Sequence, residues 1–532
     1  MFDTSTLLNA LQDSLWLFVP ELLLCAGIIL FLILRLFKGF DRLHIGYVAI
    51  GVTLIALWLA WLQWQTIEGP TSRAELFSGL LVFDGLTVFM RLFLLGFVLL
   101  LIVLSLLTGI PDREDSADFF CLLFGATVGM SLMASANHLL TVYIAIEMAS
   151  LPSYAMAGFL KGRRQSSEAA LKYVVYGGAA SGVMLFGISL VAGRFGTAYL
   201  PDVAASVVEV LRSSGGTPDT VLMAGLLLIL IGMAFKLAAV PFHFWCPDVF
   251  EGAAAEVGAF LSVASKGAAI ALVGRFTLAL ATSDTDMWRT VTAYLGPALA
   301  FFAAVTATFG NLAAYTQTNL KRLLAYSTIA HAGYMMMALA TLNREGLDAA
   351  LFYLIAYVFM NLGAFAVVAF IRNQTGTEDL SGYAGMIQRA PLLTVTLAIF
   401  LLSLVGLPPL MGYMAKFQVF AAIWKSAVDY QNNGLFVLLA IGLINTVISL
   451  VYYVKVLKVM VIDSPPEHVV GQRLPVPVLQ SIYATVLAVV VMVGILFWDP
   501  LAEDGSRKGA MQFKPIPPTA STSTAGVRTA SK

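Results

Sequence analysis

Long apolar runs alternate with short polar or charged connections along most of this chain. A helix needs about 20 mostly apolar residues to cross a bilayer. Windows of that length are found near 15–37, 45–65, 83–107, 118–136, 138–160, 168–193, 220–242, 256–282, 288–309, 322–342, 348–371, 392–421, 434–460 and 476–498. The pattern therefore predicts an all-α polytopic membrane protein with about fourteen transmembrane helices.

The composition supports a membrane protein and excludes several other classes. Hydrophobic residues make up 59% and charged residues 12% of the chain, and mean hydropathy is +0.86, whereas a soluble protein carries roughly a quarter charged residues. Because 31 basic residues balance 31 acidic ones, the chain lacks the positive field of a nucleic-acid binder. The widely spaced Cys25, Cys121 and Cys246 disfavour iron–sulfur, zinc and disulfide frameworks.

The distribution of basic residues predicts an orientation. They concentrate in the odd-numbered connections, for example Lys161, Arg163 and Arg164, and Lys321 and Arg322. By the positive-inside rule these connections face the cytoplasm and both termini lie outside. The first apolar segment is too long for a signal-peptide core, so we expect it to remain as an anchor. The tail 499–532, rich in Ser, Thr, Pro and Ala, is predicted to be disordered.

Four ionisable residues stand within predicted membrane segments: Glu147, Lys236, Lys266 and Lys416. Each costs about 2.5–3.5 kcal/mol at the bilayer centre, so each needs a partner, water or a function. One carboxylate cannot neutralise three ammonium groups unless some lysines are neutral, and burial favours the neutral amine. The set suggests a proton relay, although a structural ion pair or a snorkelling side chain explains any single member equally well.

Helix-breaking residues accompany two of these lysines. Pro241 follows Lys236 by five residues, and a stretch with two glycines and two prolines, 406–412, precedes Lys416. Backbone groups freed by proline persist at membrane depth only beside a polar cavity or inside protein. Broken helices in both halves of a chain are typical of a transport site, and a kink used only for packing is the alternative. The reversed order of Lys and Pro suits an inverted repeat.

Other polar residues give weaker signals. His243 and His331 can titrate near neutrality, but each is as well explained as a packing residue. Glu168 and Lys172 have the i, i+4 spacing of a helix-surface pair, and Lys172 is deep enough to join a relay with Glu147. Four further charges lie nearer segment ends, where structural pairing is the better interpretation: Glu21, Asp84, Arg91 and Arg275.

Several motifs are absent from the sequence. It has no P-loop, no GxGxxG at a strand-to-helix junction, no HExxH and no GxSxG. We therefore expect the chain to bind no nucleotide and to carry no electrons by itself.

Three motifs resemble the antiporter-like subunits of respiratory complex I, the proton-translocating NADH:quinone oxidoreductase. They are AFKLAAVPFHFWCPDVFEGA (234–253) with ASKG (264–267), GNLAAYTQTNLKRLLAYSTIAHAGY (310–334) and GLPPLMGYMAKFQVF (406–420). The stretch 170–193 is most similar to the N-type subunits, the bacterial counterpart of mitochondrial subunit 2. The family's M-type subunits typically have Glu where this chain has Lys416, and the chain lacks the length for the lateral helix of the L type.

The resemblance implies two inverted five-helix repeats, each with one broken helix. It implies an N-terminal three-helix unit (1–117), a first repeat (118–282), a second repeat (283–460), a C-terminal helix (461–498) and the tail. It assigns Glu147 and Lys236 as the charge pair of the first half-channel, Lys266 as the central relay and Lys416 as the terminal lysine.

The resemblance also places three supporting residues on a hydrated polar axis, namely Lys172, His243 and His331. The chain departs from the family pattern after the DVF-x-GA stretch, where Ala254 and Glu256 stand in place of a Pro-containing segment. That departure adds a carboxylate ten residues before Lys266.

As implied by the resemblance, the chain is one subunit of a translocase in the bacterial inner membrane. It would hold no cofactor, and NADH, FMN, iron–sulfur clusters and quinone would be bound by partner subunits that supply the energy. The alternatives are a subunit of a multi-subunit cation/proton antiporter or membrane-bound hydrogenase, a stand-alone solute carrier, and a purely structural membrane subunit.

Overall fold

The computed structural model describes residues 4–37, 44–69, 72–281, 288–466 and 471–513, and these are predominantly helical. Twelve helices within these ranges have the length and hydropathy to cross a membrane. Two other predicted spans, near 322–342 and 392–421, are helical without meeting that criterion, and the second is interrupted. The all-α membrane fold is confirmed, and the count of fourteen stays a prediction.

The N-terminal region contains four helices and a small hairpin. The helices are α1 (Thr4–Leu17), α2 (Val19–Leu36), α3 (Ile45–Gln65) and α4 (Gly85–Thr108). Strands β1 (Ala74–Leu76) and β2 (Leu81–Phe83) pair antiparallel between α3 and α4. The hairpin and the separate helix α1 were not predicted, since three-residue strands and a 14-residue helix are shorter than a membrane-spanning window.

The next region corresponds to the predicted first repeat. Its helices are α5 (Ser116–Ser135), α6 (Leu139–Ala157), α7 (Arg164–Phe195), α8 (Leu200–Ser213), α9 (Thr220–Leu237), α10 (Trp245–Gly252), α11 (Ala255–Phe260) and α12 (Lys266–Ala281). A π-helical turn, Leu261–Ser265, joins α11 to α12, so this span is continuous. Helix α8 was not predicted. It is amphipathic, and its apolar face is buried while its charged residues Asp202, Glu209 and Arg212 lie outside.

The remaining helices lie in the region of the predicted second repeat and toward the C-terminus. They are α13 (Trp288–Ala314), α14 (Leu320–Leu339), α15 (Arg344–Thr375), α16 (Met386–Arg389), α17 (Pro391–Val405), α18 (Met411–Asp429), α19 (Asn433–Val461), α20 (Val478–Val493) and α21 (Trp498–Pro500). Helix packing is similar in the two halves. Helix α5 packs on α6 and α7 on α9, while α13 packs on α14 and α15 on both α17 and α18.

The C-terminal prediction is wrong for its first part. Residues 499–513 are ordered, with a π-helical turn Leu501–Arg507 that packs against α15. The Lys508 ammonium donates to the carbonyl of Trp64 at 2.8 Å, and the Ser506 hydroxyl donates to Asp348. Several small or apolar side chains of this segment, including Ala502 and Ala510, are buried. The Ser- and Pro-rich composition of the whole tail did not indicate that burial. Residues 514–532 lie outside the described residues.

The connections separate into two faces. On one face, Lys161 pairs with Asp115, and Lys321 contacts both the Ala253 carbonyl and Glu378. All of these belong to the odd-numbered connections. On the opposite face, the Asn137 amide donates to the Gly79 carbonyl, and the Lys425 ammonium pairs with Glu345. We call the first the basic face, after Lys161, Arg163, Arg164, Lys321 and Arg322.

Burial increases toward the centre of the helix assembly. All residues of the span Ala255–Ala281 except Ala279 are buried, and so is most of α15. Helices α2, α13, α19 and α20 are buried on one side only, and their large apolar side chains face outward. The two innermost helices therefore carry their polar residues inside protein, away from any lipid.

Candidate proton-relay site

The first helix break lies directly after Lys236. Helix α9 ends at Leu237 because Ala238 adopts a left-handed conformation with φ of 55°. Residues 238–244 are unwound and contain Pro241, and α10 resumes at Trp245. The Phe235 carbonyl accepts from the Ala238 amide at 2.9 Å and from the Trp245 indole at 3.1 Å, so this carbonyl at the helix end is satisfied inside protein.

The second break lies directly before α18, and here the lysine follows the break instead of preceding it. Gly406, with φ of 87°, ends α17. The Lys416 ammonium reaches back across the break and donates to the Val405 carbonyl at 2.9 Å. Gly412 permits this geometry, because a side chain there would collide with the backbone of Ser403. Both lysines therefore stand at the C-terminal, negative end of a half-helix, where the helix dipole favours a cation.

Glu147 and Lys236 approach each other without a direct ion pair among the described residues. The Ser181 hydroxyl donates to Glu147, and the Lys236 ammonium donates to the Ser150 hydroxyl at 3.0 Å. Ser150 and Glu147 are three positions apart on α6 and share one face of that helix. Lys236 is fully buried, whereas Glu147 is partly exposed on the side of the protein. Their interaction is therefore electrostatic, and each of the two charged groups is hydrogen-bonded to a serine hydroxyl.

Lys266 has only a neutral neighbour. It is fully buried at the start of α12, and its ammonium lies 4.0 Å from the Cys246 sulfur on α10. Lys416, 4% exposed, contacts the Val405 carbonyl and lies 4.5 Å above the ring of Tyr334. Among the described residues, none of the three buried lysines has a carboxylate within ion-pair distance.

The two histidines occupy different positions. His331 is buried and hydrogen-bonds to the hydroxyl groups of Tyr353 at 2.5 Å and Tyr453 at 3.2 Å. It lies within electrostatic range of both Lys266 and Lys416. His243 stands in the unwound segment after α9, against the rings of Phe244 and Phe309, and its Nδ1 has no hydrogen-bond partner in the part of the chain that the structure describes. Of the two histidines, His331 is the one that lies near two relay lysines.

Lys172 is not joined to Glu147. Its ammonium pairs with Glu168 at 2.8 Å and with Asp248 at 2.6 Å, and Asp248 also binds Arg322 at 2.6 Å. These residues line a polar crevice of about 180 Å³ on the basic face. The sequence showed the Glu168–Lys172 spacing, but it did not reveal that α10 brings Asp248 to the same point.

The charges near segment ends form structural pairs, as expected. Arg91 binds Glu21 at 2.7 Å, and Arg275 binds both oxygens of Asp84 at 2.7 and 2.8 Å. All four side chains are buried. Sequence reasoning missed the neutral groups beside the lysines, such as Ser150 and Cys246, because serine and cysteine are common in apolar helices and give no distinctive signal.

Sequence similarity to known proteins identifies the family of this chain. The family described as NADH:quinone oxidoreductase/Mrp antiporter, transmembrane, matches residues 136–449. NADH-quinone oxidoreductase subunit N of Anaeromyxobacter sp. (strain Fw109-5) is 39% identical over 504 residues, which cover 92% of this chain and 95% of that protein. This chain belongs to the subunit N family of NADH-quinone oxidoreductase. The subunit N of Chlorobium chlorochromatii (strain CaD3) is 35% identical over 518 residues, 96% of this chain and 98% of that protein.

Solved structures agree with the family. A chain of respiratory complex I from Thermus thermophilus is 29% identical, covers 91% of this chain and 98% of its own length, and superposes with a TM-score of 0.71. A chain of the Mrp complex from Dietzia sp. DQ12-45-1b is 19% identical, with a TM-score of 0.80 and coverage of 94% and 97%. The second likeness concerns the fold alone.

Proposed function

We propose that this chain, as a subunit N of NADH:quinone oxidoreductase, translocates protons through Glu147, Lys236, Lys266 and Lys416. The observation that supports the proposal best is the set of three buried lysines, Lys236, Lys266 and Lys416, that form no direct ion pair with a carboxylate among the described residues. Removing a charge from water is costly unless it is paired, so such an ammonium is close in free energy to its neutral amine. Small changes in nearby charge can therefore load or unload each lysine.

Glu147 is placed to start the sequence of transfers. It is partly exposed on the side of the chain, where a charged group of a neighbouring subunit can approach. When that group attracts the Glu147 carboxylate, the electrostatic interaction between Glu147 and Lys236 weakens. The Lys236 ammonium is then less stable and releases a proton toward Lys266. The added charge at Lys266 then favours proton loss from Lys416 to the far side, with His331 between the two lysines. Lys172 and His243 support hydration of this axis.

An external energy source is required. Moving one charge against 100 mV costs about 2.3 kcal/mol, and quinone reduction in other subunits would supply it. We propose that those subunits bind the NADH, FMN, iron–sulfur clusters and quinone.

We place this chain in a bacterial inner membrane, with its basic face toward the cytoplasm and both termini on the periplasmic side. We also propose that 118–282 and 283–460 are the two inverted repeats.

The cavity beside the first helix break offers no site for a polar solute. It encloses about 70 Å³ between α9, α12 and α13 and is lined by apolar side chains. No relay lysine lines it. A solute carrier would instead need several polar groups that converge on one pocket.

The test is proton pumping by the intact complex carrying Lys236→Ala or Glu147→Ala, reconstituted in vesicles. We expect assembly and quinone reduction to persist while protons pumped per NADH fall. Lys425→Ala, which removes an exposed lysine paired with Glu345 on the opposite face, is the matched control. Full pumping stoichiometry in both test variants would refute the relay.

A further inference from the structure

Glu256 is a buried carboxylate that the relay described above does not use. It stands in the first turn of α11, is 0% exposed, and neither carboxylate oxygen has a hydrogen-bond partner among the described residues. Thr108 lies beside it, but its hydroxyl donates to the Ser105 carbonyl at 3.2 Å. An ionised carboxylate without hydrogen bonds is costly to bury, so this position needs a physical account.

Charges on the basic face supply part of that account. Lys321 and Arg372 are buried near Glu256 and share Glu378, at 3.0 and 3.6 Å. Two cations with one carboxylate leave an excess of one positive charge. An ionised Glu256 makes the group of four neutral, and a protonated Glu256 leaves it at plus one. The net charge of the four residues therefore changes by one when Glu256 takes up or releases a proton.

A stripe of polar side chains on α15 lies against the π-helical turn that follows α11. The Asn361 amide donates to the Ser262 hydroxyl at 2.5 Å, which joins α15 to the π-helical turn after α11. Tyr353, Tyr357 and Asn361 are spaced four residues apart and share one face of α15. Tyr353 hydrogen-bonds to His331 at 2.5 Å. The stripe therefore ends at the centre of the relay.

Several polar atoms along this stripe have no partner among the residues that the structure describes. They are the Asn361 Oδ1, the Ser265 Oγ and the Tyr357 Oη, and all three belong to buried residues. Buried polar groups without protein partners are usually satisfied by ordered water. The π-helical turn Leu261–Ser265 lies in the same stretch, and such turns are frequent at functional sites. Ser265 is the immediate neighbour of Lys266.

We infer that Glu256 takes up protons from the basic face and passes them along this stripe to Lys266. Ten helical residues separate the two side chains by about 15 Å, so the transfer needs the intervening hydroxyl, amide and water groups. In each cycle the Glu256 O–H bond breaks, an N–H bond forms at a neutral Lys266, and the carboxylate is reprotonated from water at the basic face. The inference rests on the proposed relay and adds a proton-uptake route that does not pass through Glu147 and Lys236.

The experiment measures proton pumping and quinone reduction by the intact complex carrying Glu256→Gln, Lys266→Met or Glu114→Gln. Glu114 is exposed on the same face and serves as the control. We expect Glu256→Gln to pump fewer protons per NADH than unaltered complex but more than Lys266→Met, because the route through Lys236 to Lys266 remains, and we expect Glu114→Gln to pump normally. Normal pumping in Glu256→Gln with a defect in Lys266→Met would overturn the role of Glu256 and leave the relay intact. Normal pumping in both would refute the relay itself.

A second comparison separates proton transfer from simple charge balance. If Glu256 only neutralises its cationic neighbours, Glu256→Gln combined with Lys321→Met should recover pumping, whereas a proton carrier cannot be replaced in this way. Infrared difference spectra of the working complex give an independent readout. We expect a protonated-carboxyl band that shifts in Glu256→Asp, a variant that retains an ionisable group. A band unchanged by that substitution would overturn the inference even if Glu256→Gln fails to assemble.

Discussion

Two buried arginines and the three relay lysines of this chain have different partners. Arg275 and Arg91 each bind a buried carboxylate through short hydrogen bonds. Lys236, Lys266 and Lys416 are buried to the same extent, yet they contact a hydroxyl, a thiol, a carbonyl and an aromatic ring. A guanidinium stays charged in proteins, whereas a lysine can become neutral when buried.

This difference separates structure from function. A carboxylate that binds a permanent cation holds two helices together, and the pair resists change because breaking it leaves an unpaired charge. An ammonium with neutral partners gains little from staying charged, so its proton can be moved by a change elsewhere. Buried charge alone is therefore a poor indicator of a relay, and the identity of the partner is the better one.

The largest effect should follow from breaking an arginine pair. Asp84→Ala leaves Arg275 buried without its bidentate partner and removes the cap that accepts from the Thr87 amide. Removing one partner of a buried pair costs about 3–5 kcal/mol. We expect the chain to be depleted from the assembled complex, as measured by quantitative mass spectrometry of purified membranes.

Asp118→Ala is the matched control, because its partner Arg35 is 49% exposed and such surface pairs contribute about 0–1 kcal/mol. Equal abundance of the Asp84 and Asp118 variants would contradict the structural role of the Asp84–Arg275 pair.

Neutralising a relay lysine should change transport more than assembly. Lys416→Met keeps the length of the side chain and removes the charge, so the buried site loses an unpaired ammonium and not half of an ion pair. We expect normal amounts of complex and fewer protons pumped per NADH oxidised. Lys425→Met, on the same helix but exposed and paired with Glu345, should leave the ratio unchanged. A normal ratio in Lys416→Met would remove this residue from the relay.

Converting a lysine to an arginine tests titration directly. Lys236→Arg keeps the positive charge but fixes it, because the guanidinium does not release its proton in proteins. If charge alone were needed, pumping would survive. We expect a partial loss of assembly, since Ser150 satisfies one donor only, and poor pumping by the complexes that do form. Pumping per assembled complex equal to that of unaltered protein would show that Lys236 need not lose its proton.

The sequence predicted the elements with strong local signals. Long apolar windows located the membrane helices, and the position of Pro241 and the glycine–proline stretch before Lys416 indicated both breaks. The charges at segment ends were correctly interpreted as structural pairs, because residues near the interface can meet carboxylates from adjacent connections. Residues 499–513 were misassigned because this short segment becomes helical through packing on α15, which the Ser- and Pro-rich composition of the whole tail does not indicate.

The roles of individual residues in the site needed the third dimension. Lys172 pairs with Asp248, which is 76 residues away, and no local spacing indicates such a contact. The stripe on α15 was also missed, since Tyr353, Tyr357 and Asn361 fit equally well as packing residues in an apolar helix. Glu256 was noticed as an additional carboxylate, but its burial and its lack of partners became evident only in the structure.

The smallest effect concerns a charge outside the membrane that, like Asp84, caps a helix. Asp219 precedes α9 and accepts from the Leu222 amide at 2.7 Å, and Arg194 donates to it at 2.9 Å. These two interactions lower the pKa of Asp219 below its ordinary value of 3.8. A carboxylate with a lowered pKa stabilises the folded state above its ordinary pKa, and this contribution is lost as the pH falls through the folded-state value.

Asp219→Ala should therefore destabilise the chain by about 1 kcal/mol at neutral pH, the usual value of an N-cap. The exposed Arg194 pair adds little to that value. Thermal unfolding of the purified complex at pH 7 and near pH 4 measures the difference from unaltered protein. We expect this difference in stability to narrow in acid, because near pH 4 the Asp219 carboxylate of the unfolded chain, with its ordinary pKa of 3.8, begins to take up a proton. Glu209→Ala, at an exposed site on α8, should have almost no effect at either pH. If the difference in stability between Asp219→Ala and unaltered protein widened in acid, the hydroxyl of the protonated side chain, and not its carboxylate, would be what stabilises the start of α9.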